Sequence, residues 1–102
     1  MKIKFNITKL GLYIYLEGEF DECHGALAKK KLDELIDNNA NAPSVVFNMK
    51  GVTFMDSTGI GVLLGRYKKL KNMRIAAYIE NPSFSADKVF SISGIYNLIP
   101  KI

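Results

Sequence analysis

One run of the sequence concentrates the residue types that could do chemistry: Phe54-Met55-Asp56-Ser57-Thr58-Gly59-Ile60-Gly61-Val62-Leu63-Leu64-Gly65-Arg66-Tyr67-Lys68. Its spacing predicts a helix from Ser57 to about Asn72, with Ile60, Leu63, Leu64, Tyr67 and Leu70 forming the apolar face. Ser57, Gly61, Gly65 and Lys68 fall on a different stripe, so the outer face is almost bare of side chains. At the helix start, either Ser57 or Asp56 is suited to cap the first turn. The same place favours an anion, because the peptide dipoles leave a partial positive charge there. Between Ser57 and Ile79 stand five basic residues (Arg66, Lys68, Lys69, Lys71, Arg74) and no acid. A phosphoryl group on Ser57 is therefore compatible with the fold.

Each glycine inside a helix costs about 0.5–1 kcal/mol relative to alanine, so Gly59, Gly61 and Gly65 need a compensating role. Close packing on the sheet or a neighbouring helix is one such role, and it suits Gly59. For Gly61 and Gly65 two explanations stand: the same close packing, or a smooth exposed surface onto which another protein's backbone settles.

Several enzyme classes fail on spacing. An aspartic-protease loop needs glycine two residues after the aspartate, whereas Gly59 is three after Asp56. A nucleophile elbow needs glycine two before the serine, where Met55 stands. The dinucleotide fingerprint would require glycine at Leu64, and a phosphate-binding loop would require Gly-Lys-Ser/Thr. The lone His24 lies far upstream of Ser57 and makes a weak case for a Ser-His pair. One Cys23 cannot close an internal disulfide, and Cys23 with His24 supplies too few ligands for zinc. Both read as surface or helix-start residues; no catalytic residue, metal site or cofactor is expected.

The elements that must position this run follow from patterning. The chain has 102 residues, 48% hydrophobic and 24% charged, with a net charge of +4, which fits one globular domain over residues 1–102 and excludes disorder or a coiled coil. No apolar run approaches the roughly 18 residues of a membrane span, and the alternating start is unlike a signal peptide. With its single cysteine, the expected setting is the cytosol.

Alternation over Lys2 to Thr8 predicts a strand with Ile3, Phe5 and Ile7 on a buried face. A hairpin partner follows, with Leu12, Ile14 and Leu16 facing one way and Tyr13, Tyr15 and Glu17 the other. Glu22 to Asn39 predicts a helix whose stripe is Cys23, Leu27, Ala28, Leu32, Leu35 and Ile36, with Lys29, Lys30 and Lys31 solvated. Val45-Val46-Phe47 reads as a short strand covered on both sides. Further strands are expected near Thr53 to Met55, from Arg74 to Ile79 and around Tyr96 to Ile99. A helix is expected from about Asn81-Pro82-Ser83 to just before Gly94. The fold class is α/β: a mixed sheet covered by helices.

At Phe54 to Val62, continuing into Gly65-Arg66-Tyr67-Lys68, the sequence resembles the STAS domain family of bacterial anti-sigma factor antagonists, and most closely its sporulation branch. Gly18-Glu19-Phe20-Asp21 resembles that branch's upstream Gly-Glu-Leu-Asp element, and the order of strands and helices agrees along nearly the whole chain. The resemblance implies a switch in transcription regulation without catalysis of its own. Ser57 would be the phosphorylation site, and an anti-sigma factor that is also a serine kinase would be the partner. A separate serine phosphatase would reverse the mark. Unphosphorylated, the protein would bind the anti-sigma factor and free the sigma factor. Asp21, Asp56, Thr58, Gly59 and Gly61 would lie at or beside the docking surface, with Gly65 continuing its bare stripe.

The chain departs from the family pattern at Asn48, where many members carry an acid, and at Glu22-Cys23-His24, where the sporulation branch often has two histidines. It also stops at Ile102, short of the final helix many relatives carry. Two other classes compete. The net +4 and the basic block from Arg66 to Arg74 suggest a nucleotide- or nucleic-acid-binding module, though no recognition motif is present and direct nucleic-acid binding is not expected. A scaffold subunit of a larger signalling assembly is the other.

Overall fold

The computed structural model describes all 102 residues. Strands β1 (Lys2–Thr8) and β2 (Gly11–Phe20) form the hairpin that the two alternating runs predict. Its turn depends on Gly11, whose φ of +148° disfavours a side chain and whose missing Cβ leaves room for the Ser44 carbonyl. The chain then runs through α1 (Gly25–Asp37), β3 (Ser44–Met55), α2 (Ser57–Asn72), β4 (Ala76–Glu80), α3 (Phe84–Ser93) and a 3-10 turn at Ile95–Asn97. The sheet order is β1-β2-β3-β4, antiparallel at the hairpin and parallel across β2-β3 and β3-β4. Helices α1 and α2 are the crossovers that parallel neighbours require.

Register aligns Ile14, Phe47 and Ile79 in one row across the sheet. These residues join Leu32, Leu63, Leu70 and Phe90 in a single core in which each is fully buried. All the helices therefore lie on one face. The next row, Tyr13, Val46 and Tyr78, faces the other way and carries no helix. Val46 is buried nonetheless, at 2% exposure. The continuous Val45-Val46-Phe47 run thus reflects a strand shielded on its outer side by flanking tyrosines, where the sequence suggested cover on both sides.

Other expectations need correction. The two strands expected at Val45–Phe47 and Thr53–Met55 are one twelve-residue strand. It stays paired with β2 past Lys50-Gly51 by slipping register between Tyr15 and Glu17 and between Gly18 and Glu19. β4 starts at Ala76, because Arg74 turns the chain with a φ of +60°. The strand expected at Tyr96–Ile99 is the 3-10 turn, and only a single parallel bridge, Ile79 with Lys101, follows it. α1 begins at Gly25, which leaves Cys23 exposed and before the helix, while Leu27 is 70% exposed. On β1, Phe5 and Ile7 are exposed although their alternation predicted a buried face.

α3 starts slightly later than expected, at Phe84, with Ser83 as cap: its Oγ accepts the Ala86 N–H at 3.1 Å, and Pro82 lies outside the helix and not just inside its start. Gly94 ends the helix in the left-handed conformation. Only part of the basic block is a free patch: Lys68, Lys71 and Arg74 are exposed, while the other two cations are paired. Arg66 is buried, with Nε 3.0 Å from Asp33, and Lys69 reaches Asp33 at 3.4 Å and Asp37 at 2.9 Å. These pairs lock α2 to α1, and the bond that Lys69 donates to Asp37 is the chief cause that raises the Lys69 pKa.

Candidate functional site

β3 delivers the chain to α2 at Met55, where it is paired with the last residue of β2, Phe20. One residue further, the Asp56 N–H donates to the Phe20 carbonyl at 3.4 Å. The turn after β2 and the start of α2 therefore sit side by side at one end of the sheet.

Asp56 is the helix cap. Its backbone is extended, and Oδ1 accepts the Thr58 N–H at 2.9 Å. Sequence left the cap open between Asp56 and Ser57, and the geometry assigns it to Asp56. Ser57 becomes the first helical residue; it is exposed, and its hydroxyl makes no hydrogen bond within the protein. A hydroxyl with no structural duty at a helix N-terminus is open both to solvent and to an incoming group.

Asp21 follows β2 directly. Its Oδ1 lies 2.7 Å from Nδ1 of His24, and its carbonyl accepts the His24 N–H at 3.1 Å, which closes the turn into α1. Burial opposes the carboxylate charge, but the bond and the charge of His24 outweigh it and hold Asp21 below its ordinary value. His24 therefore fixes the Asp21 side chain beside the start of α1. From the sequence it reads only as a surface or helix-start residue; its i,i+3 spacing from Asp21 is the signal that points to this contact.

Gly25 joins the two helix starts. A Cβ there would fall 2.6 Å from Cγ2 of Thr58, so the first turns of α1 and α2 touch at this point. No sequence feature singles out Gly25, since its constraint comes from a residue more than thirty positions away. Thr58 itself is half-buried under this contact.

The three helix glycines separate. Gly59 is buried, and a Cβ on it would meet Met55 Cε at 2.7 Å and the Phe20 carbonyl oxygen at 3.1 Å. It packs α2 against the strand ends, beneath the surface rather than on it. A Cβ at Gly61 or at Gly65 would meet nothing within 4 Å. Close packing does not explain these two, and the bare-surface explanation remains. Ser57 and Gly61 are exposed and Gly65 is half-buried, so the stripe lies open along the outside of α2.

Asp21, Asp56, Ser57 and Thr58 thus gather at one end of the sheet, with Gly61 and Gly65 leading away along the helix. Asn48 is elsewhere, on the open sheet face, where its Nδ2 donates to Glu80 at 2.9 Å. No three His, Cys, Asp or Glu side chains are grouped to hold a metal ion, and no helix is long and apolar enough to cross a membrane.

Comparison with known proteins fits this arrangement. Residues 2–102 match the STAS domain family. The chain is 32% identical over 89 residues to the anti-sigma F factor antagonist of Lysinibacillus sphaericus, covering 87% of this chain and 75% of that one. It is 30% identical over 88 residues to the anti-sigma-B factor antagonist of Bacillus subtilis (strain 168), covering 86% and 78%. Among solved structures, the unphosphorylated anti-sigma factor antagonist SpoIIAA superposes with a TM-score of 0.80 at 27% identity, covering 99% of this chain and 88% of that one. The phosphorylated form of the Bacillus cell fate determinant SpoIIAA gives 0.72 at 26% identity, covering 99% and 91%.

Proposed function

This chain belongs to the STAS domain family, and from that premise we propose that it is an anti-sigma factor antagonist switched by phosphorylation of Ser57. Unphosphorylated, it binds an anti-sigma factor and thereby frees the sigma factor. Phosphorylated, it lets the anti-sigma factor go. The anti-sigma factor is itself the serine kinase, and a separate serine phosphatase restores the binding form. The protein is a substrate in this cycle and performs no catalysis. The names of its relatives support the class, and the existence of SpoIIAA in both phosphorylated and unphosphorylated forms supports the switch.

The observation that carries the reading is the free hydroxyl of Ser57 at the head of a helix whose outer face is bare at Gly61 and Gly65. A partner backbone can approach closely along the glycines, so Ser57 lies within the contact. A phosphoryl group adds about −1.5 to −2 charges and three acceptor oxygens at that spot. Burying it without a partner costs roughly 3–5 kcal/mol, by analogy with broken buried ion pairs. At 1.4 kcal/mol per decade, affinity falls by about 10²- to 10³-fold or more. Asp56 and Asp21 make the place more negative still. The helix dipole returns only about 0.3–1 kcal/mol to the anion, so loss of the interface dominates. The fold loses nothing, since Asp56 and not Ser57 holds the cap.

Incubation with the cognate anti-sigma kinase and ATP, followed by mass mapping, tests the assignment. Addition of one phosphoryl group at Ser57 is expected. Modification at another residue, or none, contradicts it.

A further inference from the structure

The sheet has one long free edge. β1 is the first strand in the order β1-β2-β3-β4 and has no partner on its outer side. The two-residue turn Lys9-Leu10 makes Thr8 and Gly11 the last hydrogen-bonded pair of the hairpin. Asn6, Lys4 and Lys2 then also bond to β2, and the N–H and C=O groups of Ile3, Phe5 and Ile7 point away from the sheet, unpaired. The same three residues align with Leu16, Ile14 and Leu12, so their side chains stand on the helix-bearing face. Yet Phe5 is 48% and Ile7 59% exposed. Leu27 of α1 borders the strip and lines a groove with Ile3. No proline, bulge or covering segment protects this edge; its charged residues, Lys2 and Lys4, align with Glu17 and Tyr15 and stand on the opposite face from the apolar strip.

We propose that this edge pairs with the β1 edge of a second copy of the chain, antiparallel about Phe5, to give a two-fold dimer with a continuous eight-stranded sheet. The strand is self-complementary in that register. Phe5 is its middle residue, so all seven residues are paired: Phe5 faces its own copy, Ile3 faces Ile7, Lys4 faces Asn6 and Lys2 faces Thr8. All three outward-pointing residues then meet outward-pointing residues, completing the ladder. No lysine stands directly opposite another; Lys4 meets its copy only on the diagonal, and each Lys4 already lies 3.6 Å from Glu17. A register centred on Lys4 would set lysine against lysine, and one centred on Asn6 would leave Lys2 and Ile3 without partners in the opposite strand. The apolar strip of one copy covers that of the other, which accounts for exposed Phe5 and Ile7 on a strand whose alternation asks for burial.

Sedimentation of the full chain over a wide concentration range, with two sets of variants, tests this. Phe5→Lys sets two positive charges against each other across the two-fold. It is expected to weaken dimerisation by at least about tenfold, with an unchanged melting temperature at concentrations dilute enough for both proteins to be monomeric. In a Cys23→Ser background, Phe5→Cys places the two sulfurs at a hydrogen-bonded cross-strand pair, about 5.5 Å between Cα atoms and within disulfide reach. Ile3→Cys puts its copy four residues further along, on the order of 14 Å away, and out of reach. The expected result is a concentration-dependent dimer that Phe5→Lys disrupts and that Phe5→Cys, but not Ile3→Cys, traps on oxidation. A monomer at every concentration, a dimer indifferent to Phe5→Lys, or equal cross-linking by both cysteines overturns the proposal. None of these outcomes depends on Ser57, so the phosphorylation switch stands or falls separately.

Discussion

Asp56 Oδ1 accepts the backbone N–H of Thr58 at 2.9 Å, across the residue that lies between them. That single bond divides the labour at the head of α2: the aspartate anchors the helix, and the serine it spans is free to change its chemistry. Removing the cap should therefore act on stability. Asp56→Ala is expected to cost about 1 kcal/mol, lowering the melting temperature by roughly 4–8 °C, whereas Asp56→Asn keeps an acceptor and should stay close to the native value. Thermal unfolding of the two variants measures this.

Gly61 tests the bare stripe. A Cβ there meets nothing within 4 Å, so Gly61→Ala should stabilise the helix by about 0.5–1 kcal/mol. Gly61→Leu should leave the melting temperature no lower and weaken binding to the anti-sigma partner by about tenfold or more, some 1.4 kcal/mol. Titration of the partner against both variants, beside their melting curves, separates docking from packing. A fall in melting temperature for Gly61→Leu would point to an intramolecular contact instead.

Acid stability should carry the mark of Asp21. Burial alone would raise its pKa, but the His24 bond and charge outweigh burial and hold the folded value below the ordinary 3.8. A carboxylate depressed in the folded state contributes stability above its unfolded pKa and loses it as pH falls through the folded value. Urea unfolding of the native protein and of Asp21→Asn should therefore differ above a pH of about 3.8 and converge as pH drops below it. A constant difference across that range would show that Asp21 gains nothing from its charge.

Local pattern makes much of this protein legible without coordinates. The hairpin, α2 to its first and last residues and the run around Ser57 all follow from periodicity or capping chemistry, which act within a few residues. What stays hidden depends on tertiary neighbours. Lys50-Gly51 falls between two expected strands but continues a single one, because β3 takes up an extra residue at each register shift and stays paired with β2. Arg66 reads as part of a basic patch but is buried against Asp33, on another helix. Gly25 carries no local signal, since its constraint is the Thr58 methyl. Gly61 and Gly65 have the same spacing as packing glycines, and only the empty space above them distinguishes the two uses.

The most direct measurement is the affinity of the anti-sigma partner for Ser57→Ala and Ser57→Asp, taken with their melting temperatures. Native-like binding is expected for Ser57→Ala, binding weaker by at least about tenfold for Ser57→Asp, and unchanged stability in both. The carboxylate brings less charge than a phosphoryl group, so its effect should fall below the 10²- to 10³-fold loss expected for the phosphoprotein. Equal affinities for the two variants would contradict a switch at Ser57.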